Sequence, residues 1–236
     1  DGAGAEPELL DRGLDRFPDD GVDGRIAVRH ARNGAGGDFR AARDLIPDGG
    51  SILFDSGTTT MSLIRLLPQG RPLTVVTNSI PGAALLAAMP KVEFYLLGGR
   101  VRARTAAAVG GWASSALRDL VIDVAFMGTN GLTVEYGLTT PNPEEAKTKA
   151  AMIAAARRVI LLTDHSKVGA VQFCKFCDVA QVDTLVTDVG LDDETLAASE
   201  DAVSRHHDRG HGAMVRVALA PCSPFSVTEE LMVRSA

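Results

Sequence analysis

Asp55, Ser56, Gly57, Thr58, Thr59 and Thr60 place a carboxylate, a glycine and three consecutive threonine hydroxyls in one short run. The run follows Ile52, Leu53 and Phe54, which read as a short buried strand, and precedes a helical pattern over Met61 to Leu67. A strand-to-helix junction aims free backbone N–H groups at whatever sits above the strand end, and the helix dipole there favours an anion. Gly57 lets the backbone approach a ligand closely, and the hydroxyls add donors suited to a phosphate. The run is not a Walker A loop, because no Gly-Lys-Ser/Thr follows it. An ordinary hydroxyl-capped turn has the same composition, so this run alone does not decide the matter.

Four other strand ends carry related chemistry. Thr77, Asn78 and Ser79 follow one apolar run, and Gly98, Gly99 and Arg100 follow another. Gly128, Thr129, Asn130 and Gly131 follow a third, and Thr163, Asp164, His165, Ser166 and Lys167 a fourth. In a parallel sheet all of these loops emerge on one edge, where open α/β sheets bind their ligands. Small and polar residues at several such ends point to a phosphorylated, hydroxyl-rich ligand. Lys149 and Lys167 are the candidates for charge, and Asp55, Asn78, Asn130 and Asp164 the candidates for hydrogen bonds to sugar hydroxyls. For any single lysine a solvated surface charge is the default; the convergence carries the reading.

The elements that must position these residues alternate between apolar strand runs and helix-length patterns. Strands are predicted over Ile52 to Phe54, Leu73 to Val76, Val92 to Leu97, Ile122 to Met127, Val159 to Leu162 and Val182 to Thr187. Helices are predicted over Met61 to Leu67, Pro81 to Ala88, Trp112 to Leu120 and Pro143 to Arg157. Strands separated by helices require crossover connections, so the fold class is α/β with an open, mainly parallel sheet. The helix from Pro143 is punctuated clearly: Asn142 can cap it, Pro143 suits its first position, and Glu144 and Glu145 suit the positive end of its dipole. Glu145 and Lys149 lie one turn apart and are expected to share a face.

The chain of 236 residues fits one larger α/β domain or two small ones. Hydrophobic residues are 45% and charged residues 23%, which excludes a disordered polyelectrolyte. Aromatics are only 5%, so the core must be aliphatic. The net charge of −6 disfavours a free-standing nucleic-acid binder. No apolar run approaches the roughly 18 residues needed to span a bilayer, and no signal peptide opens the chain, so no membrane association is expected. Three cysteines cannot build a disulfide framework, which makes the reducing cytoplasm the expected compartment. The first residue is Asp1, and an upstream segment is expected to be missing. Residues 1 to about 48, rich in Gly, Asp and Arg, read as a loosely ordered linker with a hint of helix from Phe39 to Ile46.

Taken in order, the motifs are Asp55 to Thr60, Val75 to Ser79, Leu97 to Arg100, Val124 to Gly131, Gly137 to Pro141 and Asp164 to Gly169. Together they closely resemble the C-terminal sensor domain of DeoR-type bacterial transcription regulators, from about Arg29 to Asp193. The resemblance implies a fold shared with ribose-5-phosphate isomerase and CoA transferases. It also implies a phosphorylated sugar or related metabolite as effector, bound at the Asp55 loop and its neighbours, and a homo-oligomer. In that family a winged helix-turn-helix precedes the sensor and binds operator DNA. Residues 1–28 are too short and too rich in Gly and Asp to form one, so operator DNA is reached only through a helix-turn-helix not present in this chain. This gives a linker or remnant at 1–28, a sensor at 29–193 and an atypical tail at 194–236.

An enzyme of this fold is the alternative. A sugar-phosphate isomerase moves a proton with a carboxylate and a nearby lysine, and would resemble Asp-Gly-Ala-Asp where this chain has Gly128, Thr129, Asn130 and Gly131. Asn130 binds a hydroxyl but cannot abstract a proton. Glu145 with Lys149 is the remaining acid/base candidate, which helix capping and an i, i+4 pair also explain. CoA transferases use a glutamate nucleophile, and no motif identifies one here. No catalytic residue, cofactor or metal is therefore expected.

Cys174 and Cys177 form a Cys-x-x-Cys, read as two small buried side chains, since a structural zinc needs four ligands and Cys222 lies far off. His206, His207, Asp208 and His211 fall beside Gly210 and Gly212 and read as a solvated loop. The last forty or so residues, including Ser204 to Asp208 and Gly212 to Thr228, resemble an internal fragment of zinc amidohydrolases of the 8-oxoguanine and triazine deaminase kind. The metal-binding histidine pair of that family is absent, so its activity does not carry over. A fused or misassembled reading frame, or a slip near Asp193, accounts for such a tail, and a non-functional fusion fragment is the third reading. Thr195 to Arg205 and Val215 to Leu219 are the helix and strand available to close the sensor fold.

Overall fold

A computed structural model describes residues 26–31, 40–68, 70–188 and 217–219. In chain order the elements are β1 (Ile26–Ala31), α1 (Arg40–Arg43), β2 (Gly50–Phe54), α2 (Thr58–Ile64), β3 (Leu73–Thr77), α3 (Ile80–Leu86) and β4 (Val92–Leu96). A hairpin of β5 (Arg100–Arg102) and β6 (Ala107–Val109) leads to α4 (Gly111–Ala116) and β7 (Val124–Gly128). Then come β8 (Gly131–Thr133), β9 (Gly137–Thr140), α5 (Pro143–Ala154), β10 (Val159–Leu162), β11 (Cys174–Cys177), β12 (Thr184–Asp188) and β13 (Val217–Leu219).

The main sheet has eight strands in the order β13-β1-β12-β10-β7-β2-β3-β4. Every neighbouring pair in it is parallel. Because side chains alternate across a strand, β2 feeds two cores. Ile52 and Phe54 pack with α1, α2 and α3 on one face, and Leu53 packs with α4 and α5 on the other. The same alternation sends Val75 to the first core and Val76 to the second. Phe54 and Phe126 stack at a centroid distance of 5.2 Å and lock β2 to β7 within the first core. Strands buried on both faces need continuous apolar runs, which is why they were readable in the sequence.

The order of strands fixes where a ligand fits. From β2 the chain moves outward through β3 to β4, then returns to the opposite side of β2 as β7 and continues to β10 and β12. The connections on either side of the β2–β7 seam therefore diverge, the kind of switch point at whose carboxyl edge open α/β sheets bind their ligands. Asp55 leaves β2 at this point and Gly128 ends β7 there.

Three parts of the architecture differ from the sequence expectation. Residues 26–31, read as part of a loose linker, form β1, which pairs with both β12 and β13. The antiparallel hairpin β5–β6 and a three-stranded antiparallel sheet ordered β11-β9-β8 were not foreseen. Strands of three or four residues are too short for an alternating pattern to register. Ile122, expected to open a strand, instead forms an isolated bridge to Ala156, and β7 begins at Val124. The strand expected over Val215 to Leu219 is present as β13, over Val217–Leu219. The helix expected over Thr195 to Arg205 lies outside the described residues. Among the described residues no helix is long and apolar enough to cross a membrane.

Candidate functional site

The site is built around the end of β2. The Asp55 amide donates to the Phe126 carbonyl at 3.0 Å, continuing the β2–β7 pairing by one residue. Two residues beyond Leu53, the Asp55 side chain falls on the α4–α5 face and is fully buried. Its Oδ2 accepts the Gly128 amide at 3.1 Å and the ammonium of Lys149. Among the described residues its Oδ1 has no hydrogen-bond partner. Lys149 also donates to the Gly128 carbonyl at 3.0 Å and lies 5.4 Å from the centroid of the Phe176 ring. The lysine thus ties the ends of β2 and β7 together beneath α5.

Helix α5 delivers that lysine because its start is fixed. Asn142 accepts the amides of Glu144 and Glu145 at 3.1 and 3.0 Å, and Pro143 occupies the first helical position. Glu145 and Lys149 both face inward from this helix and are both buried. They do not pair with each other, contrary to the i, i+4 expectation. Glu145 Oε1 accepts from Arg102 at 2.8 Å and from Thr105 at 2.9 Å, and Oε2 accepts from the Thr140 hydroxyl at 3.1 Å. The stronger option for each charge lies across the fold: a guanidinium from the β5–β6 hairpin for Glu145, and a buried carboxylate for Lys149.

The run from Ser56 to Thr60 opens α2. Gly57 adopts φ 154°, ψ 162°, a region essentially confined to glycine. Among the described residues no acceptor meets the backbone amides of Ser56, Gly57, Thr58, Thr59 or Thr60. Thr58 is exposed and Ser56 and Thr59 are half-buried, whereas Thr60 is buried. The Thr60 hydroxyl donates to the carbonyls of Asp55 at 2.7 Å and Gly57 at 3.1 Å, so it braces the turn from inside.

At the end of β3, Thr77 donates its hydroxyl to the Phe54 carbonyl at 2.8 Å, and Ser79 caps α3 by accepting the Gly82 amide at 3.1 Å. Asn78 between them is buried; its Nδ2 donates to the Ala108 carbonyl at 3.2 Å and its Oδ1 has no partner. Beyond β7, Asn130 Oδ1 lies 3.0 Å from the Thr140 hydroxyl oxygen and shares its single proton with Glu145, which joins it to the Glu145 cluster. Gly131 packs so tightly that a Cβ there would lie 2.4 Å from the Ala170 carbonyl oxygen. That glycine is required by backbone approach within the fold.

Gly98 and Gly99 follow β4, and a Cβ on Gly99 would lie 2.9 Å from the Val109 carbonyl oxygen. Gly99 also lines a depression of about 380 Å³ with Arg100, Val109, Gly110, Gly111, Trp112 and Glu144, where Arg100 pairs with Glu144. This depression does not include Asp55 to Thr60. After β10, Asp164 accepts the Ser166 amide at 3.0 Å, and the Lys167 ammonium donates to the Ser166 hydroxyl at 3.2 Å. The parallel sheet therefore brings all five predicted loops to one edge. Asp55 and Lys149 are in contact there, with Asn78 on the adjacent strand end, while Asp164 and Lys167 are engaged in their own short turn.

Arg102 and Thr105 were not singled out from the sequence, and nothing in their spacing marks them; only the folded β5–β6 hairpin brings them to Glu145, while Thr140 reaches it from the end of β9. Cys177 is buried on β11 and Cys174 half-buried; both are free thiols. Burial, reinforced by Asp178, pushes the Cys177 thiol up to about 12, which leaves it a poor nucleophile. Among the described residues no group of three or more His, Cys, Asp or Glu side chains is arranged to hold a metal. His206, His207, Asp208 and His211 lie outside the described residues.

The family model for the DeoR C terminal sensor domain matches residues 40–189. The HTH-type transcriptional regulator GlpR of Haloferax volcanii is 40% identical over 163 residues, covering 69% of this chain and 63% of that protein. The uncharacterized HTH-type transcriptional regulator FruR of Bacillus subtilis is 37% identical over 147 residues, covering 62% of this chain and 58% of that protein. The chain thus spans less than two thirds of the length of these relatives. Among solved structures it is similar to ribose 5 phosphate isomerase A from Neisseria gonorrhoeae, with a TM-score of 0.39, 16% identity, and coverage of 54% of this chain and 49% of that one. By the match over most of its described length, the chain belongs to the DeoR C-terminal sensor domain family.

Proposed function

We propose that this chain is the effector-binding part of a sugar-responsive transcription regulator, and that its effector is a phosphorylated sugar seated at the carboxyl ends of β2 and β7. The observation that carries the reading is Asp55. A fully buried carboxylate stands at the chain reversal with one oxygen committed and the other lacking any donor. Beside it the amides of residues 56–60 lack acceptors. A ligand with hydroxyls at one end and a phosphate at the other meets both needs. Ser56, Thr58 and Thr59 flank the phosphate in this reading, and Asp55, Asn78 and Asn130 receive or orient hydroxyls. Lys149 acts mainly by holding Asp55, so Lys167 is the freer source of positive charge.

The relatives named above are HTH-type transcriptional regulators. By that kinship the effector alters the DNA affinity of a helix-turn-helix joined to this domain, within a homo-oligomer in the cytoplasm. It does so only by binding two conformations of the regulator with different affinity. We read the role as binding rather than turnover, since Asn130 after β7 is an amide that cannot abstract a proton, Glu145 has both oxygens occupied, and Asp55 is held by Gly128 and Lys149.

A thermal-shift screen against phosphorylated sugars, followed by calorimetry, tests the proposal. At least one sugar phosphate raises the melting temperature, and Thr59→Val weakens its affinity about tenfold, the scale of one lost hydrogen bond to a charged group, with the fold unchanged. Unaltered affinity in Thr59→Val contradicts the placement, and steady turnover of ribose 5-phosphate contradicts the non-catalytic role.

A further inference from the structure

Asp55 and Asn78 stand side by side. The register of β2 and β3 pairs Phe54 with Thr77, so the next residue on each strand is Asp55 and Asn78 respectively. Leu53 and Val76, two residues earlier, both belong to the α4–α5 core. Alternation therefore puts both polar side chains on that same face. Both are buried, at 0% and 2% exposure. Among the described residues each retains one oxygen with no donor, Asp55 Oδ1 and Asn78 Oδ1.

The orientation of each group is fixed by its other atom. Asn78 Nδ2 donates to the Ala108 carbonyl, so its oxygen cannot be exchanged for the nitrogen without setting two carbonyls against each other. Asp55 Oδ2 is taken by Gly128 and Lys149. Two adjacent buried acceptors without donors are costly in a finished fold, and a ligand supplying two neighbouring donors relieves that cost. Charge decides which donors. The Asp55 carboxylate is already paired with the Lys149 ammonium, so a second cation at Oδ1 gains less than it would at a lone carboxylate and gives up its own hydration, whereas a neutral hydroxyl donates without that cost.

Resting on the sugar-phosphate reading above, we propose that Asp55 and Asn78 form a two-acceptor subsite. It reads a pair of neighbouring neutral hydroxyls on the effector and rejects analogues in which one is missing or replaced by an amine. Sites built to hydrogen-bond a hydroxyl discriminate strongly against the analogue lacking it, because their own buried groups are then left unpaired.

The test is calorimetric titration of the full chain with ribose 5-phosphate, 2-deoxyribose 5-phosphate, 2-amino-2-deoxyribose 5-phosphate and inorganic phosphate. In the ring form of ribose 5-phosphate the 2-hydroxyl belongs to every vicinal diol, so its removal leaves none. The proposal expects ribose 5-phosphate to bind at least tenfold more tightly than both sugar analogues. Binding of either analogue within tenfold of the parent, or no binding of ribose 5-phosphate itself, overturns the subsite while leaving the sugar-phosphate seat standing; no binding by any sugar phosphate of the thermal screen overturns both. A second arm uses Asn78→Asp, which adds a carboxylate without a counter-ion and also removes the donor to the Ala108 carbonyl. Where circular dichroism shows it folded, it shifts preference at least tenfold toward the amino analogue, and an unchanged ranking contradicts the proposal. Where it does not fold, the wild-type series alone decides between acceptance and rejection.

Discussion

Lys149 on α5 and Asp55 at the end of β2 lie 94 residues apart in sequence and form a buried ion pair across the seam where the sheet reverses direction. The side chains are 7% and 0% exposed. Desolvating two charges is expensive, and their attraction with the added bonds to Gly128 offsets that cost only while both partners are present. The pair therefore fixes the carboxylate in one orientation more than it adds stability.

Removing one partner is the sharper perturbation. Lys149→Met is expected to destabilise the protein by about 3–5 kcal/mol, the cost of leaving a buried carboxylate unpaired. Combining it with Asp55→Asn recovers a large part of the loss. Urea denaturation of the two single variants and the double variant measures this; additive losses contradict the pairing.

Gly137 and Gly98 make a contrasting pair of backbone tests. Gly137 has φ +69°, and a Cβ there would lie 2.2 Å from the Cys177 carbonyl oxygen, where β9 meets β11. Gly137→Ala is expected to cost about 1–3 kcal/mol or more from backbone strain alone. Gly98 has nothing within 4 Å of the corresponding position, so Gly98→Ala stays within about 0.5 kcal/mol of the wild type. Thermal melts of the two variants compare them directly.

Much of this arrangement could be read in the sequence. Strands such as β7 and β10 are buried on both faces and appear as apolar runs, and α5 announces its start through Asn142 and Pro143. Once the sheet was taken as parallel, the five polar strand ends had to share an edge. What could not be read is the choice of partners. Lys149 has Glu145 one turn away and Asp55 far along the chain, and only the packed fold decides between them. Thr60 looked like its two neighbours, yet its hydroxyl turns inward because it is the one that can reach the Asp55 carbonyl. The hairpin residues Arg102 and Thr105 sit on strands and turns too brief to leave a pattern.

Asp123 gives a pH signature. The Ser51 amide and hydroxyl donate to its Oδ2 at 2.9 and 2.8 Å and hold its carboxyl below the usual carboxylate range. A carboxyl whose value is lower when folded stabilises the protein above its unfolded value of about 4 and loses that contribution as pH falls through the folded value. The stability gap between wild type and Asp123→Asn is therefore widest near neutrality and narrows on acidification below about pH 4. Denaturation midpoints between pH 2 and 7 report this, and a gap independent of pH contradicts it.

Cys177 supplies a chemical test of the β11 packing. With its thiol pushed up to about 12 by burial, it stays unmodified when the native protein is treated with iodoacetamide at pH 8. Unfolding in urea makes it react. Peptide mapping of the alkylated sites distinguishes the two states, and rapid native labelling of Cys177 contradicts the packing described.

The seat itself is tested most directly by nuclear magnetic resonance of the ¹⁵N-labelled protein titrated with a sugar phosphate taken from the thermal screen. Saturable amide shifts are expected to concentrate at Ser56, Gly57, Thr58 and Thr59, with a smaller set at Gly128 and Asn130. Saturable shifts confined to other parts of the molecule, with those amides unmoved, contradict it.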